Sequence, residues 1–220
     1  MKKPEVVVTQ KLMPILEIGK IYNFLSNQTV LSLIFFSSLP ASIAVVGFLN
    51  YFSPIYLNRI GASQSTIGQI LMIYGICLIY FGPLISRYVD ASRNKKLYIF
   101  LGCTLGSLAF LTFHVLEGIA AAATAILLLG LSSSFVLASQ SAFALELGVT
   151  RELGEGKAIG IFRSTSRVGQ MLGPIVFSSI IMATNINEGI TYLGIAYLLS
   201  ALLFILFTQR NIKAVVLENA

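Results

Sequence analysis

The sequence predicts an all-α membrane protein with six transmembrane helices, and three observations lead there. Six stretches contain no Asp, Glu, Lys or Arg: Ile21–Asn58, Ile60–Ser86, Leu97–Leu116, Gly118–Leu145, Val168–Asn187 and Gly189–Gln209. Each is at least as long as the ~20 apolar residues a helix needs to cross a bilayer. The segments between them alternate between basic and nearly uncharged. With the N-terminus in the cytoplasm, fourteen of the fifteen Lys and Arg residues fall on the inner side and Arg59 alone on the outer side. Short Lys- and Arg-rich loops stay cytoplasmic, so both termini are expected inside. Finally, 220 residues with 11% charged and a mean hydropathy of +0.84 hold too little polar surface to enclose a soluble core.

In chain order, residues 1–28 read as a cytoplasmic tail followed by a short helix. Ile15, Ile18, Ile21, Tyr22 and Leu25 recur at helical spacing from Pro14 to Asn27, a pattern that fits an amphipathic helix on the membrane surface or a lead-in to the first span. Residues 29–210 form the membrane domain, and 211–220 a polar tail. Span one covers about residues 30–57 and contains Pro40 and Pro54, which free backbone carbonyls and bend the axis. Span two covers about 65–86, with Ser63 or Ser65 as its cap. Spans three to six follow at about 96–115, 119–146, 157–183 and 190–208. The loops are short, so consecutive helices form antiparallel hairpins.

Several function classes are excluded by inventory. One His, and no His, Cys and carboxylate cluster at metal spacing, leave nothing for hydrolytic or transfer chemistry. The chain is therefore expected not to be an enzyme and to need no cofactor or metal. The net charge of +6 describes topology and not a groove-facing surface, so no nucleic-acid partner is expected. Cys77 and Cys103 fall inside spans and read as small apolar fillers. The sequon at Asn27 lies on the inner side and reads as accidental.

Two motifs carry more. The inner end of span two runs Gly82-Pro83-Leu84-Ile85-Ser86-Arg87-Tyr88-Val89-Asp90-Ala91-Ser92-Arg93-Asn94-Lys95-Lys96. In span five, Gly160, Gly169 and Gly173-Pro174 stand at the spacing Gly-x8-Gly-x3-Gly-Pro. Gly169 and Gly173 are four apart and form a flat strip where another helix can press in, and Pro174 bends the helix after it. The first motif resembles the Gly-x-Leu-x-Asp-Arg-x-Gly-Arg-Lys signature of the major facilitator superfamily, with Ser86 at the usual Asp and Val89 at a Gly. The second resembles that family's fifth-helix motif, with Phe177-Ser178 replacing its closing glycines. Span four lacks the basic residue usual in the family's N-terminal half. The resemblance, over about residues 28–210, is to one six-helix half, most like the C-terminal one.

That resemblance implies two inverted three-helix repeats and transport of a small solute by alternating access, with a second six-helix half as partner. That half would be a separate chain or a second copy. A bacterial cytoplasmic membrane is the implied location. The other reading is a non-transporting membrane module for sensing, anchoring or assembly. Gly82, Arg87, Asp90, Arg93, Gly169, Gly173 and Pro174 are the candidate gating residues. Polar groups at membrane depth are costly and mark pathways. Arg163, Arg167 and Gln170 form one stripe on span five, read as an inner gate or anion contact or as headgroup anchors. Asn50, Tyr51, Tyr74, Ser134 and Gln140 are candidates to line the same cavity, or to bond helix to helix. Lys95 reads as a headgroup contact. No carboxylate lies within a span, so a proton-coupling group is expected only in a partner half.

Overall fold

The computed structural model describes the backbone of residues 18–218 and the side chains of 18–186 and 188–209. The predicted tail at 1–10 and the first turn of the amphipathic helix lie outside the described residues. Among those described there is no strand. Eight helices follow in order: α1 (residues 18–26), α2 (Gln28–Arg59), α3 (Gln64–Ala91), α4 (Lys95–His114), α5 (Gly118–Glu146), α6 (Gly148–Leu153), α7 (Glu155–Ala183) and α8 (Ile186–Glu218). Among the described residues, five helices are long and apolar enough to cross a membrane: α2, α3, α4, α5 and the Glu188–Gln209 part of α8. The sequence predicts a sixth span where α7 lies. That helix matches α5 in length, at 29 residues, but Arg163, Arg167 and Gln170 make its first half polar.

The helix boundaries follow from local chemistry. Asn27 caps α2, its Oδ1 accepting from the Thr29 and Val30 amides at 3.0 and 3.2 Å, which gives the sequon asparagine a structural role. Ser63 caps α3 by accepting from the Thr66 amide at 3.1 Å. The turn between α2 and α3 needs Gly61, whose φ of +79° lies in the left-handed region that side chains disfavour. The predicted loop at 147–157 folds in part into α6, where the Thr150 hydroxyl donates to the Ala144 carbonyl at the end of α5 (2.6 Å). α8 runs on to Glu218, where the sequence suggested a tail beyond 210.

Proline shapes α2. The Leu39 amide bonds to the Ile34 carbonyl and the Ser53 amide to the Phe48 carbonyl, five residues back in each case. These wide turns, over Ile34–Ser38 and Val45–Phe52, sit just before Pro40 and Pro54. A proline ring clashes with the carbonyl four residues earlier and offers no N–H. Widening the preceding turn relieves both problems without breaking the helix.

α3 and α4 both pack along α5, α7 packs along α2, and α8 packs along α4 and α2. Phe48 of α2 centres an aromatic cluster, 5.1 Å from Phe110 of α4 and 6.4 Å from Phe177 of α7 by ring centroids, all fully buried. In lipid such a cluster stabilises through dispersion and close packing, because the surrounding tails are as apolar as the rings. One end of the bundle is marked by an ion pair between Lys95, at the start of α4, and Glu146, at the end of α5. The other end is marked by Tyr56 of α2, whose hydroxyl accepts from the Gly118 amide of α5 at 3.0 Å. Arg59 stands there too, lining a depression with Met182, Thr184 and Asn185. α7 therefore runs from the Lys95 end to the Arg59 end.

Candidate functional site

The glycine strip of α7 lies against α2. A Cβ on Gly169 would sit 2.9 Å from the Ser42 Cβ and 3.1 Å from the Leu39 carbonyl oxygen. One on Gly173 would sit 2.7 Å from the Gly47 nitrogen, and one on Gly47 the same distance from the Gly173 oxygen. The two backbones touch because none of these residues carries a side chain there. Ser38 bonds Ser166 across the same contact at 2.7 Å. Pro174 follows inside an unbroken helix.

The polar stripe lies to one side of this contact, roughly a quarter-turn around α7. Arg163 and Arg167 are exposed, and the Arg167 guanidinium donates to the Gln170 side-chain oxygen at 2.9 Å. Around them Val168, Met171, Leu172 and Ile175 are also exposed, so the stripe interrupts an apolar surface. Two cations and an amide held on one helix face can bind an anion or line an aqueous path. Asn50 is exposed on α2, and Tyr51 is half-buried there.

The other candidates separate from this stripe. Ser134 is buried and donates to the Gly130 carbonyl of its own helix at 3.0 Å and the Cys77 carbonyl of α3 at 3.4 Å. Gln140 is buried and its Nε2 donates to the Ser37 hydroxyl of α2 at 2.7 Å. Tyr74 is half-buried and bonds toward Ser133. For these three the structure supplies helix-to-helix bonds. Gly82 does not press against another helix, since no heavy atom lies within 4 Å of where its Cβ would be. Arg87 and Arg93 are exposed, and Asp90 accepts from the Ser86 hydroxyl at 3.4 Å. Lys95, expected at the headgroups, instead pairs with Glu146.

Sequence reasoning missed the buried chain to which Gln140 belongs. Ser37 lies 3.5 Å from the Cys103 sulfur of α4, and Cys103 in turn reaches the Tyr197 hydroxyl of α8, which also meets Ser132 of α5. Cys103 is thus a polar link as well as a filler. The spacing of Gly102, Gly106 and Gly130 offered a signal, since a Cβ on each would collide with a neighbouring helix. A cavity of about 190 Å³ lies beside this chain, lined by Pro40, Ile43, Phe110, Phe177, Leu193 and Tyr197 among others. Its wall is apolar.

These features define a helical integral membrane protein with one outward polar stripe. No family model matches the chain. Over 150 residues, or 68% of its length, it is 23% identical to Multidrug resistance protein 2 of Bacillus subtilis (strain 168). The chain covers 37% of that relative's length.

Proposed function

We propose that this chain is one six-helix unit of a secondary transporter, moving a small solute by alternating access in a bacterial cytoplasmic membrane. The observation that carries this reading is the stripe of exposed Arg163 and Arg167 with half-buried Gln170, on a 29-residue helix that passes from one end of the bundle to the other. In hydrocarbon each arginine costs several kcal/mol, so the stripe needs an aqueous path or a partner. α7 is on this reading the sixth span, with its polar face turned to the pathway. No enzymatic step is assigned to the chain.

Helix pairing supports a relation to one half of a major facilitator transporter. Exchanging the first three spans for the last three turns the α2–α7 contact into the α5–α3 contact and leaves α4–α8 unchanged, and all three contacts are present. That is the pairing two inverted three-helix repeats would produce. The distant likeness to a multidrug resistance protein nearly twice as long agrees with a unit that works beside a second one. The same orientation of every copy lets a second copy or a related six-helix chain complete the pathway. The alternative of a non-transporting module draws on the buried bonds of Ser134 and Gln140, which leave fewer polar groups for a solute.

Reconstituting the chain, alone and with six-helix proteins encoded beside it, into vesicles and following efflux of lipophilic cationic and anionic dyes tests the proposal. Flux that falls at least about tenfold in Arg167→Ala, with an unchanged melting temperature, is the expected result. Flux at wild-type level in Arg167→Ala and Arg163→Ala would remove the stripe from the pathway.

A further inference from the structure

The gap between α3 and α4 holds a second kind of site. These helices barely meet each other, because both lean on α5. Between them runs an apolar groove of about 390 Å³, floored by Leu131 and Phe135 of α5. Phe81, Leu84, Ile85 and Tyr88 form the α3 wall, at the spacing of one helix face, and Tyr98 of α4 forms the other. Tyr98 and Phe135 stack with centroids 6.3 Å apart. Phe81, Leu84 and Tyr88 are exposed, so the groove opens away from the bundle.

The groove ends under the most basic turn of the described chain. Arg87 and Arg93 are exposed, and Lys95 and Lys96 open α4. Lys95 is neutralised by Glu146, whereas Arg87, Arg93 and Lys96 have no ion-pair partner among the described residues. Asp90 is the carboxylate on this turn, and it holds the Ser86 hydroxyl. α4 begins without a side-chain cap, so the positive end of its dipole adds to the cations. Tyr88 and Tyr98 occupy the rim, where amphipathic rings settle at headgroup level.

We propose that the groove and its basic rim together bind an anionic phospholipid, with an acyl chain along Leu84, Leu131 and Phe135 and the phosphate at Arg93 and Lys96. The rim selects a negative head, the groove selects a long apolar tail, and an acidic phospholipid joins the two. Each cation near the surface contributes about 1 kcal/mol toward such a lipid, so two of them give a preference of roughly tenfold or more over a zwitterionic one. The site shares no residue with the α7 stripe, and its test reads binding and not transport.

Native mass spectrometry of the purified full chain, titrated with phosphatidylglycerol or phosphatidylcholine of matched chains, measures both selections. Wild type should prefer phosphatidylglycerol by about tenfold or more, and Arg93→Ala with Lys96→Ala should bring the two lipids within about twofold. Leu84→Trp, which fills the groove, should weaken both lipids, and glycerol 3-phosphate should compete poorly because it lacks a tail. The double variant alters exposed Arg93 and half-buried Lys96 at the uncapped start of α4 and should melt close to wild type, so it decides the matter even if Leu84→Trp does not fold. Equal binding of the two lipids by wild type, a preference untouched in the double variant, or full competition by glycerol 3-phosphate would each overturn the proposal.

Discussion

α5 and α7 are each 29 residues long and rich in small residues, yet they are opposite in use. α5 buries 14 residues and α7 only 5. The serines and Gln140 of α5 bond to α2, α3 and α4, so polarity there joins helices. α7 buries a thin line of Ala158, Phe162, Gly169, Gly173 and Phe177, and its charges look outward. Polarity inside a membrane helix therefore has two meanings. Burial tells them apart, and composition does not.

The largest effect expected from this contrast is at the buried line. Gly173→Leu would force a side chain into the Gly47 backbone and should cost about 3 kcal/mol or more, or prevent folding, by thermal unfolding in detergent. Gly160→Leu, with no atom within 4 Å, should melt like wild type. Similar melting of both variants would break the α2–α7 contact.

Next comes the bonding of α5. Gln140→Leu leaves the Ser37 hydroxyl with only the weaker Cys103 sulfur as partner and should lower stability by about 1 kcal/mol, and pairing it with Ser37→Ala should recover part of that loss. Simple additivity in this double-mutant cycle would deny the bond its role. Lys95→Ala removes the pair with Glu146, a half-exposed partner, and should cost about 0.5–1 kcal/mol, less at high salt. The smallest change in stability is expected at Arg167→Ala, within about 0.5 kcal/mol. A loss comparable to Gln140→Leu would place Arg167 among the packing residues and undo the contrast.

Much of the architecture was legible because the bilayer imposes it. Charge-free runs, glycine spacing and the Ser63 cap follow from the length of a span and the geometry of a helix. The wide turns of α2 were foreshadowed by Pro40 and Pro54, although the widening itself depends on neighbours that absorb it. The surroundings of Gly82 and Lys95 were not legible because a motif names residues and not their neighbours: Gly82 has open space beside it, and Lys95 meets Glu146, 51 positions away. The Gln140–Ser37–Cys103–Tyr197 chain was invisible for the same reason. Its members come from four helices, and no local pattern brings them together.

The central claim is that the outward face of α7 is covered by a second six-helix unit. Cross-linking from a cysteine at Met171, exposed beside Arg167, tests it most directly in native membranes, where the buried Cys77 and Cys103 should stay silent. The account predicts an intermolecular product, with a second copy or another six-helix chain, that is lost when the cysteine is moved to exposed Leu101 on α4. Monomer alone from Met171→Cys, in membranes where transport persists, would contradict it.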